Sequence, residues 1–218
     1  MQPQQQISNE FRKKAVANRR EPEAVARKQQ LVRQASQLFR HNGYRQTSLA
    51  AIIAGAGGSR ETLAKYFKNK AGLYAAVIHQ GAAEFVEQTD LAAIKGTPAT
   101  VLRVFGELAL RFFLQPAALM TYRDVISEGI HAPEIAVAFY QTGHRHLTNA
   151  LSAQLAHWRR RALINSSDPE VDADCFTHLL RAGIHEQVLL GLRSRATDAE
   201  IKASVANAVR VFLKGIAR

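Results

Sequence analysis

Apolar residues recur along this chain at every third or fourth position, which is the period of helices that bury one face. One such face lies between Glu23 and Asn42 and consists of Leu31, Ala35, Leu38 and Phe39. Alternating runs of Val, Ile, Thr and Tyr, typical of strands, are absent from the sequence, whereas the helix-favouring Ala, Leu, Arg and Gln are abundant. The pattern predicts an all-α protein with about nine helices.

Capping residues and prolines divide the chain into these predicted helices. Thr97-Pro98 and Asp168-Pro169 each combine an N-cap residue with a proline at the first helical position. Thr197 is followed three residues later by Glu200, which is the spacing of a capping box. After the first helix at 23–42, the predicted helices cover residues 48–54, 59–67, 70–94, 98–115, 117–126, 133–161, 169–192 and 198–217.

Two short predicted helices flank a turn of small residues, Ala56-Gly57-Gly58, and the second of them opens at Ser59. This is the spacing of a helix-turn-helix, whose second helix enters the major groove of DNA. Leu63 and Phe67 lie four residues apart and are expected to face a hydrophobic hub with Phe39 and either Ile52 or Ile53. The remaining side chains of this helix that then face outward are Arg60, Glu61, Thr62, Lys65 and Tyr66.

Charge is concentrated around this motif. The chain carries a net charge of +11, and residues 1–80 account for most of it, with 14 Lys and Arg against 4 Asp and Glu. Residues 81–218 carry 15 against 14. A concentrated positive field is what a polyanionic partner requires, because neutralised phosphates release condensed counterions. The charge therefore favours double-stranded DNA as a partner.

The sequence predicts three regions. Residues 1–22 are expected to form a disordered basic arm, residues 23–84 a three-helix DNA-binding domain, and residues 85–218 a second helical domain. The arm is either a solubilising tail or a segment that follows the DNA backbone or minor groove with Arg12, Lys13, Lys14, Arg19 and Arg20.

No uncharged apolar run approaches the roughly 18 residues that span a bilayer, and the first residues lack a signal-peptide core. The single cysteine, Cys175, excludes an intrachain disulfide. The expected location is the cytoplasm, on the bacterial nucleoid when the protein is bound to DNA.

Residues 28–78 resemble the TetR family of bacterial transcriptional regulators. The resemblance rests on fixed spacing of Ala35, Leu38, Phe39, Gly43, Tyr44, Thr47, Ser48, Ala56, Gly57, Ser59, Thr62, Leu63, Tyr66, Phe67 and Lys70. The segment from Tyr122 to Leu192 is similar to the AefR-type C-terminal domain of that family. Two positions depart from the pattern: Gly58 replaces a buried aliphatic residue, and Ala64 replaces a tyrosine that contacts DNA.

The DNA-contacting residues are expected on and around the second helix of the motif. Arg60 has the geometry for a bidentate contact with guanine, and Thr62 can contact a base or a phosphate. The resemblance implies that Ser48, Tyr66 and Lys70 hold phosphates. The alternative for each residue is a solvated polar side chain. The full set of predicted DNA-binding residues is Thr47, Ser48, Ser59, Arg60, Glu61, Thr62, Lys65, Tyr66 and Lys70.

The resemblance also implies that the second domain binds a small effector and forms a homodimer. The predicted ligand-binding residues, each of which is alternatively ordinary core, are Phe105, Leu108, Phe112, Met120, Tyr122, Phe139 and Phe176. They suggest an apolar, uncharged or weakly polar effector. The predicted dimer-interface residues, on the last two helices, are Ile184, Val188, Val205, Val209 and Phe212.

Other chemistry has little support in the sequence. Arg181 and His185 are spaced to bind a polar ligand group or to make an interhelical or interface contact. The histidine spacing predicts no metal site, and no cofactor or catalytic residue is expected. Arg123 and Glu128 are expected to pair with each other or with helix ends.

These observations favour a ligand-responsive, dimeric, sequence-specific transcriptional repressor that binds a pseudo-palindromic operator. The alternatives are a ligand-independent regulator or architectural DNA-binding protein, which needs no cavity, and an all-helical enzyme with a basic N-terminus. Activation in place of repression also stays open, and neither the operator nor the effector is identifiable from the sequence.

Overall fold

The computed structural model describes residues 3–91 and 93–216, with side chains from residue 22 onward. These residues form ten helices and no strand. The helices are α1 (Pro3–Gln46), α2 (Leu49–Ala56), α3 (Arg60–Phe67), α4 (Lys70–Gln88), α5 (Pro98–Phe113), α6 (Pro116–Glu128), α7 (Pro133–Ala138, a π-helical turn Phe139–His144, and Arg145–Arg160), α8 (Pro169–Arg181), α9 (Ile184–Leu189) and α10 (Asp198–Ile216). The all-α prediction is confirmed.

Helix α1 begins well before the predicted start. Its backbone is helical from Pro3 and passes through Pro22, so it includes most of the segment predicted to be disordered. Gln, Lys, Arg and Ala in this segment all favour helix. The basic side chains of the predicted arm lie outside the described residues. At the other end, Gly43 takes a non-helical conformation with φ 73°, where the sequence predicted the helix to end.

Polar side chains cap six of the helices, among them the three caps predicted at Thr97, Asp168 and Thr197. The side chains of Ser48, Ser59, Asn69 and Thr97 each accept a hydrogen bond from a backbone N–H in the first turn of the following helix. Asp168 does the same for α8, and Thr197 and Glu200 form the capping box of α10. Each of these caps satisfies backbone donors that have no partner within the helix.

The described residues contain one helix more than predicted. The predicted helix at 169–192 is divided, because Gly183 adopts φ 75° and separates α8 from α9. Helix α4 ends at Gln88, where the sequence placed its end near Ile94. The π-helical turn within α7 was not predicted either; it shifts the register of the side chains that follow it, as π turns do.

Two hydrophobic clusters organise the fold. The first is formed by helices α1, α2, α3 and α4 together with Ile135 of α7, and it is centred on Phe39, Leu63 and Tyr74. The second joins α4, α5, α7, α8 and α10 around Phe105 and Phe176. Helix α4 contributes to both, so it connects the region of the helix-turn-helix with the larger helical region. No helix in the described part of the chain is long and apolar enough to cross a membrane.

Candidate DNA-binding surface and ligand cavity

The short turn between α2 and α3 has the geometry of a helix-turn-helix. Gly57 and Gly58 adopt φ 73° and φ 104°, conformations that side chains other than glycine rarely tolerate. Arg27 of α1 donates from Nη1 to the carbonyl oxygen of Ala56, 3.2 Å away, at the end of α2. The turn is therefore fixed both by its glycines and by a contact with the preceding helix.

Helix α3 packs through its predicted apolar side. Leu63 and Phe67 are buried with Phe39 and Ile52, whereas Ile53 is only partly buried. The opposite side of the helix faces solvent. Arg60, Glu61 and Lys65 are exposed, and Thr62 and Tyr66 are half-buried at its edges. Ser59 is the N-cap of α3, since its Oγ accepts a hydrogen bond from the Thr62 N–H.

Thr47 was predicted to contact DNA, but its side chain is buried. Its side chain is only 2% exposed, and its hydroxyl donates to the carbonyl oxygens of Gly43, at 2.7 Å, and Leu38, at 3.2 Å. The hydroxyl therefore closes the end of α1, where the kink at Gly43 leaves carbonyl groups without helical partners. The neighbouring Ser48 is exposed.

Lys70 lies at the first residue of α4, beside the chain segment that follows Gly43. Its Nζ donates to the Arg45 carbonyl oxygen at 3.2 Å and lies 4.4 Å from the centroid of the Tyr44 ring. Partial burial lowers the pKa of Lys70 from its usual value. The ammonium group is thus held in position beside the last residues of α1.

A cavity of about 630 Å³ lies between the helices of the second region. That volume falls in the range of small-molecule sites. Four of the predicted ligand-binding residues line it: Leu108, Phe112, Tyr122 and Phe139. The lining also includes Ser36 and Arg40 of α1, so the cavity extends to the helix that supports the helix-turn-helix.

Three of the predicted ligand-binding residues do not line the cavity. Phe105 and Phe176 are fully buried in the core cluster, with ring centroids 6.4 Å apart. Met120 is half-buried and lies on the side of α6 that faces Gly43. Helical periodicity identifies a buried side but does not distinguish core from cavity, because both are apolar.

The cavity wall also contains polar groups, including the pair that the sequence indicated either for a polar ligand group or for an interhelical or interface contact. Arg181 and His185 both line it, as does His144. The Arg181 Nη2 donates to His144 Nδ1 at 3.5 Å, and the opposite ring nitrogen, Nε2, is hydrogen-bonded to Asp174. Since arginine only donates, His144 carries its proton on Nε2.

Asp174 also lies beside His178, so that His144, Asp174 and His178 form a cluster of potential metal ligands within 4.8 Å. The histidine spacing along the chain gave no sign of this cluster. His144 and Asp174 are 30 residues apart, on helices α7 and α8, and spacing within one helix cannot detect such a pair. In this structure the cluster is a hydrogen-bonded chain that continues from Arg181.

Burial changes the protonation of the two histidines in the cavity wall. It lowers the pKa of His185 to about 4, with a smaller contribution from the Arg181 charge. Burial also lowers the pKa of His144, although its bond to Asp174 acts in the opposite direction. Both imidazoles are therefore neutral near pH 7, and Arg181 carries the positive charge.

Asp124 of α6 links the cavity region to the helix-turn-helix. Its Oδ2 accepts from the Tyr44 N–H at 2.9 Å and from the Tyr74 hydroxyl at 2.8 Å. Burial raises the pKa of Asp124, while both hydrogen bonds favour the ionised form. Thr121 and Tyr122, on the same helix, line the cavity.

Arg123, also on α6, bonds to the end of a helix, one of the two roles predicted for it. Its guanidinium donates to the carbonyl oxygens of Leu189, at 2.9 Å, and Val188, at 3.0 Å.

The residues predicted at the dimer interface face the interior of the protomer. All five are at most 9% exposed, namely Ile184, Val188, Val205, Val209 and Phe212. Their side chains pack within the protomer and are not available on its surface. Helices α8 and α10 do present apolar residues to solvent, since Val171 of α8 is 55% exposed and Val211 of α10 is 41% exposed.

Comparison with known families decides the identity of these two regions. Residues 31–77 match the family model of bacterial regulatory proteins of the tetR family. Residues 100–215, more than half of the chain, match the C-terminal domain of AefR-like transcriptional repressors. The chain belongs to the TetR family of transcriptional regulators. The first match contains the helix-turn-helix, and the second contains most of the cavity lining.

Solved structures show the same fold. A protein from Mesorhizobium loti described as a TetR-family transcriptional regulator is 20% identical, with 89% of this chain and 98% of that chain covered and a TM-score of 0.78. The flavonoid-responsive regulator FrrA is 26% identical, with coverage of 88% and 97% and a TM-score of 0.71. FadR from Bacillus subtilis, in complex with stearoyl-CoA, is 16% identical, with coverage of 86% and 98% and a TM-score of 0.64. No significant match was found among curated proteins.

Proposed function

We propose that this TetR-family regulator is a dimeric, sequence-specific repressor that a small molecule releases from its operator. The observation that carries the proposal is the presence of a cavity that touches both α1 and α6, the helices joined through Asp124 to the helix-turn-helix. The protein acts in the cytoplasm on double-stranded DNA.

The DNA-reading role belongs to α3. Its exposed side presents Arg60 and Lys65 as donors for base edges or phosphates, and Glu61 as an acceptor suited to cytosine N4. Ser48 and Lys70 lie at the starts of α2 and α4, where backbone N–H groups and the helix dipole favour phosphate oxygens. Thr47 acts from inside the domain and supports the backbone before Ser48.

The coupling is mechanical. A ligand in the cavity contacts α4 and α6, and Asp124 of α6 holds both the Tyr44 N–H and the Tyr74 hydroxyl. If the ligand-bound position of α6 differs from the DNA-bound one, α1 and the reading helix move with it. The ligand then favours one conformation through differential affinity, without any chemical step.

The dimer forms through the solvent-facing sides of α8 and α10, which pack against each other in the protomer. Val171 and Val211 are the exposed apolar residues of these helices. A twofold axis there places two reading helices on one pseudo-palindromic operator.

The test is selection of operator sequences by the full-length protein, followed by affinity measurements over a salt series. We expect a strong preference for the selected duplex over random duplex, and affinities for both that fall steeply with salt. Binding without sequence preference would instead support an architectural DNA-binding protein. The cavity argues against that alternative, since an architectural protein needs none.

A further inference from the structure

The guanidinium of Arg181 is enclosed by aromatic rings at the cavity wall. Its Cζ lies 4.5 Å from the centroid of the Phe113 ring and 5.7 Å from that of the Tyr122 ring. All three residues line the cavity. The rings orient the cation and shield it from water, and cation–π attraction offsets only part of the resulting loss of hydration.

Arg181 has few partners for its donors. Its one hydrogen bond to another described residue is the 3.5 Å contact with His144 Nδ1, and no carboxylate in the described part of the chain pairs with it. Other arginines of the same region are satisfied: Arg111 pairs with Asp198, and Arg193 pairs with Glu200. Arg181 therefore retains most of its five N–H donors for another acceptor.

The Asp174 carboxylate acts on the Arg181 charge only from the far side of His144, so the guanidinium has no counter-ion in direct contact. Such a position is unfavourable, because a charge partly removed from water needs a partner of opposite sign. We infer that the partner is the ligand: the cavity binds the ionised carboxylate of a small, otherwise apolar acid, and Arg181 is its anion-binding residue. This inference rests on the proposed function and specifies the class of effector. It also changes the earlier expectation of an uncharged effector.

The balance of charge favours a single carboxylate over a phosphate. His144 and His185 are neutral near pH 7, since burial lowers the pKa of each. Arg111 is neutralised by Asp198, and the charges of Arg40 and Glu84 lie at exposed parts of the lining. The inner wall thus presents one net positive charge, which one carboxylate matches in charge and in bidentate shape.

The rest of the lining fits the body of such an acid. Apolar side chains surround the space in front of Arg181, among them Ile78, Phe85, Leu108, Phe112, Phe139 and Leu147. An aromatic or aliphatic body buried there contributes affinity through apolar area, and the carboxylate fixes its orientation.

The experiment compares acids with their primary amides, which have nearly the same shape and no charge. The pairs are decanoate and decanamide, phenylbutyrate and phenylbutyramide, and naphthaleneacetate and naphthaleneacetamide, titrated into the full-length protein by calorimetry. We expect at least one acid to bind, with its amide about tenfold weaker or more, as loss of a charge-assisted hydrogen bond predicts. No binding by any acid, or equal binding by an amide, would overturn the inference.

Two substitutions locate the effect. Arg181→Met keeps much of the side-chain length and should remove the preference for acid over amide. Arg181→Gln is the second variant if the first does not fold. Arg103→Met, at an exposed position of α5 outside the cavity lining, is the matched control and should keep the preference. A preference that survives both Arg181 substitutions would show that another group binds the carboxylate.

Operator binding is measured in the same samples. An acid that binds through Arg181 but leaves operator affinity unchanged would contradict the proposed ligand response while supporting the anion site. Release of the operator by neutral compounds, with no acid binding, would support the proposed function and overturn the Arg181 inference.

Discussion

The DNA-reading surface and the ligand cavity are assembled in different ways. Helix α3 supplies Arg60, Glu61 and Lys65 from eight consecutive residues. The cavity takes its lining from α1 and from each of α4 to α9. A surface on one helix is encoded by the spacing along that helix, whereas a cavity depends on how seven helices pack. The difference explains why the first is recognisable as a motif and the second is not.

The largest effect is expected from a charged residue placed on the buried side of α10. Val205→Glu puts a carboxylate at a fully buried position beside Gly106 and should cost about 3–5 kcal/mol of folding free energy, as unpaired buried charges do. Val211→Glu, on the exposed side, should leave the protomer folded and weaken the dimer. Chemical denaturation and sedimentation velocity measure the two effects.

A Val205→Glu protein that is stable and monomeric would instead support the prediction from the sequence that Val205 lies at the dimer interface. A dimeric Val211→Glu protein, with unchanged association, would place the interface on other helices.

The next effect concerns the junction between the two regions. Asp124→Ala leaves the Tyr44 N–H and the buried Tyr74 hydroxyl without their acceptor, at a cost of about 2–4 kcal/mol for the two groups. Asp124→Asn keeps an acceptor oxygen and should cost less. Denaturant unfolding gives the stabilities, and equal costs for the two variants would show that the hydrogen bonds contribute little.

The fold was predicted from the sequence to a large extent, for reasons visible in particular residues. Ser48, Ser59, Asn69 and Thr97 act locally, within one turn of the helix that each begins, so their roles are encoded in short spacings. The division at Gly183 was missed, since an isolated glycine in a periodic apolar segment is compatible with a continuous helix.

The site was predicted less completely. Thr47, Phe105 and Val205 have residue types suited to the roles predicted for them, but burial decides whether such side chains face a ligand, a partner or the core. The chain of Arg181, His144 and Asp174 was missed because its members come together only when α7 packs on α8. Such contacts are set by tertiary packing, which the spacing within a helix does not determine.

A moderate effect is expected on α3 itself. Arg60→Ala should lower discrimination between the selected operator and its base-substituted forms by about 1–3 kcal/mol. Lys70→Ala should weaken binding to all duplexes about equally and reduce the salt dependence. Fluorescence anisotropy over a panel of duplexes measures both, and the reverse pattern would exchange the base-reading and phosphate-holding roles of these residues.

A smaller effect concerns the pH dependence of the cavity region. The pKa of His185 falls from 6.5 to about 4 on folding, so the unfolded chain binds more protons between these values. Stability contributed by the neutral imidazole is therefore present above pH 6.5 and is lost as the pH falls toward 4. His185→Gln should show a shallower loss in denaturant unfolding over this range. An identical pH profile for the variant would assign the acid sensitivity to other groups.

The central claim, that the cavity controls the reading helix, is tested most directly by reciprocal titration. Operator affinity of the full-length protein is measured with and without a saturating cavity ligand, and the affinity for that ligand is measured with and without operator. The account predicts that the ligand weakens operator binding and that the operator weakens ligand binding by the same factor, because coupling between sites is reciprocal. Unchanged operator affinity at full occupancy of the cavity would contradict it.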